Sequence, residues 1–148
     1  MKKKAEIHAD SDKSLTIFLQ RLMWTGMGLA LFSVALQMNQ VRGGFLTNYL
    51  ADLAGPAWFY ATLRLNKNFL RFILPWTTLP LFAATLVFSV GTAWEVCQAF
   101  DFRGTVLYIT HGRFDPLDIA AFALGISISF FADKIVQRRA KKIALSQI

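Results

Sequence analysis

Glu95 and Gln98 stand three residues apart in WEVCQ, and His111, Arg113, Asp115 and Asp118 follow in HGRFDPLD. Residues three apart on a helix share a face, so Glu95 and Gln98 can act together on one molecule. Carboxyl groups and an imidazole can move protons, which makes Glu95, His111 and Asp118 the candidate catalytic residues. Guanidinium groups grip phosphate through parallel N–H donors, which suits Arg113 and Arg103 to a phosphate-bearing ligand. Asn48 and Asp52 form a second polar pair, four apart in TNYLAD. Pro56 lacks the amide that would bond the Asp52 carbonyl, so a local kink with an extra acceptor is expected beside that carboxyl group. The candidate ligand-binding set is therefore Asn48, Asp52, Glu95, Gln98, Arg103, Arg113 and Asp118.

Several of these residues also have a structural explanation, and for Asn48 and Asp52 it is a simple packing kink at Pro56. Asp115 precedes Pro116, a residue suited to the first position of a helix, so Asp115 reads as an N-cap. Asp118 then falls in the first turn, where its charge favours the helix dipole. It also heads a line with Ala121, Gly125 and Ser129, small residues of the kind that let helices approach closely. That line turns Asp118 toward other helices, in a structural or a functional role. Glu95 can fix helix register through an internal hydrogen bond, and a lone loop histidine such as His111 is often incidental.

These groups must be positioned by very apolar elements. The chain has 148 residues, 55% of them hydrophobic and only 17% charged, short of the usual quarter for a soluble domain. Mean hydropathy is +0.42. The sixteen Lys and Arg residues are segregated, with five in 1–21, three in 64–71 and five in 134–142. Long apolar runs separate them. This is the pattern of an integral membrane protein, and the net charge of +7 is read as orientation and anionic-lipid contact, not nucleic-acid binding. One cysteine, Cys97, excludes an intramolecular disulfide, and the histidines His8 and His111 are far apart. No metal site and no cofactor are expected.

The expected fold is all-α, a polytopic antiparallel bundle of four transmembrane helices. A basic N-terminus (1–14) precedes one membrane domain (15–136), with spans at about 15–38, 47–63, 72–100 and 116–136, and a basic C-terminus (137–148) follows. The apolar core Leu22–Gln37 is long for a signal peptide and lacks a small-residue cleavage site, so an uncleaved helix is expected. The termini and the loop with Arg64, Lys67 and Arg71 carry thirteen of the sixteen basic residues. The positive-inside rule then places both termini in the cytoplasm. Asp52, Glu95, Gln98, Asp101, Arg103, His111, Arg113, Asp115 and Asp118 all fall in the outer half. The segment TVLYIT (105–110) is too apolar for a wet loop and reads as interfacial or re-entrant.

E-x-x-Q near the end of one span, a short loop, then R-x-D-x-x-D leading into a Gly-containing final span resembles the VanZ-like family of small bacterial membrane proteins. The residues concerned are Glu95, Gln98, Arg113, Asp115, Asp118 and Gly125. The segment TNYLADLAGPAWFYATLR resembles the matching part of related small membrane proteins, and the likeness covers about residues 42–133. The resemblance implies a bacterial inner-membrane protein acting at the cell envelope; the family's namesake is associated with resistance to glycopeptide antibiotics, especially teicoplanin. The last span departs from the family in reading IAAFALG, without the Asn often found before its Gly.

Three functions of different kinds fit these residues. The favoured one is an outward polar site for membrane lipids, anionic or polyprenyl-linked, or a lipid-linked envelope precursor. A small assembly subunit, as a homo-oligomer or beside another membrane protein, would use the polar groups only to lock helices. An envelope phosphoryl or acyl transferase would use Glu95, His111 and Asp118 as acid–base groups, without a recognisable nucleophile or phosphate-loop motif.

Overall fold

The structure, a computed structural model, describes residues 2–39, 41, 43–70, 79–100 and 114–146. The described residues are helical, without a strand: α1 (Lys2–Met38), α2 (Phe45–Leu65), the single turn α3 (Lys67–Leu70), α4 (Pro80–Gln98) and α5 (Pro116–Ser146). Among the described residues, three segments are long and apolar enough to cross a membrane, namely Asp12–Met38, Pro80–Gln98 and Pro116–Ile143. α2 is not among them, because Thr47, Asn48, Asp52 and Arg64 dilute its apolar character.

Local chemistry sets the helix ends. Gly43 and Gly44 take φ values of 155° and 81°, a region that a side chain disfavours, and so turn the chain from α1 into α2. Thr47 closes that turn: its Oγ1 accepts from the Gly43 N–H at 3.1 Å and donates to the Gly43 carbonyl at 3.0 Å. The Gln37 side-chain amide donates to the Thr47 carbonyl at 2.9 Å, tying the end of α1 to the start of α2. Asn66 stops α2, with its backbone N–H and its side-chain amide both bonded to the Thr62 carbonyl. Pro80 and Pro116 each open a helix at the first position, where a missing N–H costs nothing.

α2 lies at the centre, packed against α1, α4 and α5. α5 also touches α1 and α4, so α1 and α4 flank the α2–α5 pair. Close approaches occur at glycines. A Cβ on Gly26 would stand 2.9 Å from the Ala54 carbonyl oxygen, and one on Gly125 would collide with the carbonyl of Leu53. The small-residue line of α5 does face inward, since Ala121, Gly125 and Ser129 are all buried.

The interior is small and partly polar, whereas the exterior is large and apolar. Leu19, Tyr60, Ala83, Ala84, Val87 and Ile126 form the core cluster. Ser33, Ser129 and Asp133 are also buried, while Trp24, Phe32, Leu81, Val90 and Phe131 are each more than half exposed. Water would penalise such an exterior; hydrocarbon does not, and small interior residues are what helix packing in lipid uses.

One expectation needs correction, and two helices run beyond the expected spans. Arg64 is not a loop charge: it sits in the last turn of α2 and is 4% exposed. α5 continues ten residues past the expected end at 136, carrying the basic C-terminal segment as helix. α1 likewise begins at Lys2, well before residue 15. The third apolar stretch becomes a described helix at Pro80, and residues 71–78 lie outside the described residues, as does the segment TVLYIT.

Candidate functional site

α2, α4 and α5, with the end of α1, enclose a cleft of about 740 Å³ whose lining includes Asp52, Glu95, Gln98, Asp118 and Gln37. These polar residues come from four helices, and the sequence brought four of them forward as site candidates. The rest of the lining is apolar: Phe59 and Leu63 from α2, Leu86, Val87, Val90 and Trp94 from α4, and Phe122 from α5. Such a cavity is within the usual size range for a small-molecule site.

Helix geometry places each polar group. Glu95 follows Gly91 by one turn, and Asp118 precedes Phe122 by one turn. Gly91 is where the Phe122 ring comes close against α4, so that approach sets the two carboxyl groups at the same level of the cleft. The predicted i, i+3 pair is made, with Gln98 Nε2 donating to Glu95 Oε1 at 3.1 Å. The Asp115 backbone N–H also faces the Glu95 carboxyl group. Glu95 Oε2 nevertheless has no hydrogen-bond partner among the described residues, on a side chain only 6% exposed. Unsatisfied buried acceptors are uncommon and costly in a folded protein, so this oxygen marks a place for a donor.

Asp115 takes the capping role expected of it. Its Oδ1 accepts from the Leu117 N–H at 2.9 Å, and its other oxygen accepts from Tyr49 Oη at 3.4 Å, a long contact. α5 therefore starts at a fixed point beside α2. Asp118 is partly buried and lines the cleft on the next positions of the same turn.

Arg103, His111 and Arg113, together with the Asn48 side chain, lie outside the described residues. Among the described residues, no three His, Cys, Asp or Glu groups converge as metal ligands.

A second polar cluster was not anticipated. Asp133 is fully buried and accepts from Tyr60 Oη at 2.6 Å, Arg64 Nε at 2.9 Å and Gln137 Nε2 at 2.7 Å. Arg64 and Asp133 form a buried ion pair. Continuing the line Asp118, Ala121, Gly125, Ser129 by one more turn lands on Asp133, and Tyr60 and Arg64 are themselves four apart; that spacing was the available signal. The two inward acids of α4 and α5 thus differ in kind. Asp133 has donors on both oxygens, whereas one Glu95 oxygen in the cleft has no partner among the described residues.

No family model matches the chain, and neither a curated protein nor a solved structure is significantly similar to it.

Proposed function

We propose that this chain is a VanZ-like, multi-pass protein of the bacterial inner membrane that binds a cell-envelope lipid or lipid-linked precursor in an outward-facing cleft. The carrying observation is the cleft itself, with apolar walls and a polar end that includes a Glu95 oxygen without a partner among the described residues. An amphiphile needs both environments in one continuous space.

In this reading α2 is the fourth span of an antiparallel bundle. A helix with Asp52 and Arg64 can cross hydrocarbon when its neighbours cover those groups, and α2 is packed on three sides. Residue pairings favour an alternating order: Gln37 meets Thr47 while Gly26 meets Ala54, and Tyr49 meets Asp115 while Tyr60 meets Asp133. The basic segments then collect at the cytoplasmic face with both termini, and the cleft opens toward the outer side.

Native mass spectrometry of protein released from its own membrane tests the function. Wild-type protein is expected to retain a phospholipid or polyprenyl-linked species that Glu95→Gln and Arg113→Ala both lose. The same lipids on all three proteins would sink the binding role and favour an assembly subunit with structural polar groups.

A further inference from the structure

The polar end of the cleft is unbalanced. Gln98 spends one amide hydrogen on Glu95, and Gln37 spends one on the Thr47 carbonyl. The lining holds three carboxyl groups, from Asp52, Glu95 and Asp118, against one remaining amide hydrogen on each of Gln37 and Gln98. Each carboxyl group offers acceptor positions whether or not it carries a proton. An occupant that brings hydroxyl donors matches these acceptors better than one that presents only further acceptor oxygens.

These acceptors are also spread out. No three of the carboxyl groups converge closely enough to hold a metal ion among the described residues. One small cation cannot answer all of them at once, whereas a head with several donors at separate positions can. Trp94 stands in the same lining and is 46% exposed. Its flat face can pack against the apolar C–H face of a pyranose ring while the ring hydroxyls point to the acceptors, the arrangement that an amphipathic aromatic side chain favours.

We infer that the cleft selects an amphiphile whose headgroup is a hydroxyl-rich sugar, with hydroxyl donors on Glu95 Oε2, Asp118 and Asp52, the ring beside Trp94 and the acyl or prenyl chain along the apolar wall. This inference rests on the lipid-binding reading of the cleft and names the head that it takes.

The test uses the full chain in detergent micelles and three lipids with identical acyl chains: a monoglucosyl diacylglycerol, a phosphatidylethanolamine and a phosphatidic acid. Binding is measured by native mass spectrometry across a lipid titration. The glucosyl lipid is expected to bind about tenfold more tightly than phosphatidic acid, the size of effect that one or two satisfied buried acceptors give. Glu95→Gln and Asp118→Asn should each weaken it by about tenfold, and Trp94→Leu should weaken the glucosyl lipid while leaving phosphatidic acid unchanged. Tightest binding of phosphatidic acid or of phosphatidylethanolamine would overturn the sugar assignment and leave the lipid cleft standing. Equal binding of all three lipids, unaltered in the variants, would overturn the cleft as a lipid site as well. Melting curves by circular dichroism report the folding of each variant, and if any fails to fold, the ranking of lipids on the wild-type chain decides.

Discussion

Tyr60 Oη donates to Asp133 Oδ2 at 2.6 Å, and the same oxygen receives Arg64 Nε at 2.9 Å. One carboxylate oxygen therefore joins two side chains from α2 to α5, while Gln137 holds the other oxygen. The Arg64–Asp133 pair is almost fully buried, which makes it valuable mainly as long as it is complete. Removing one partner leaves the other's buried charge without its counter-charge, whereas removing both can be nearly neutral.

Asp133→Ala is accordingly expected to cost about 3–5 kcal/mol, the range for breaking a buried pair. Tyr60→Phe deletes one hydrogen bond and leaves the pair intact, so about 1–2 kcal/mol is expected. The double variant Arg64→Met with Asp133→Leu should recover most of the Asp133→Ala loss. Unfolding of the detergent-solubilised protein by denaturant measures all three. Equal and small effects for Asp133→Ala and Tyr60→Phe would mean that the cluster does not carry the α2–α5 contact.

The α2–α5 interface makes a second prediction, through two glycines that look alike in the sequence. Gly125 meets the Leu53 carbonyl, so even one added methyl group must push backbone against backbone. Gly28 has nothing within 4 Å of where a Cβ would sit. Gly125→Ala is expected to destabilise by about 1–3 kcal/mol, the usual cost of overpacking. Gly28→Ala should be neutral or stabilising by about 0.5–1 kcal/mol, because alanine loses less backbone entropy in a helix. Melting temperatures that fall equally for both variants would remove the close approach at Gly125.

Much of this arrangement was legible before any coordinates, and the reason is periodicity. Glu95 and Gln98 share a face because three residues make most of a turn, and their hydrogen bond follows. Asp115 caps α5 because Pro116 can only begin a helix. Asp118 and Asp52 reach one cleft because α5 and α2 turn small or polar residues toward each other. The Arg64 cluster was less legible. Arg64 belongs to a basic segment in the sequence, and the charge of such a segment reads as a wet loop unless its buried acceptor is known. Asp133 in turn adjoins Lys134 and resembles the edge of the basic tail. Only the packing of α2 on α5 turns these two ordinary terminal charges into a buried pair. Gln37 and Trp94 escaped for a related reason: each ends or decorates an apolar run, and its place in the cleft depends on helices far away in the chain.

Whether α2 crosses the membrane decides the orientation of the cleft, and it yields the sharpest topological prediction. Asn39 and Asn66 are exposed residues immediately beyond the end of α1 and the end of α2. With α2 crossing, they stand on opposite faces of the membrane, because α2 has 21 residues and at ~1.5 Å per residue spans about the thickness of the hydrocarbon core. Single cysteines are introduced as Asn39→Cys or Asn66→Cys after Cys97→Ser removes the native thiol, and intact cells are treated with a membrane-impermeant thiol reagent. Asn39→Cys should label from outside, and Asn66→Cys only after the membrane is opened. Labelling of both from outside would leave α2 on the outer surface, expose Arg64 and Asp133 to the wrong side and displace the cleft from its outward position. Protection of both in intact cells, with labelling of both after opening, would turn that end of α1 to the cytoplasm, and the positive-inside assignment of the basic segments would fall with it.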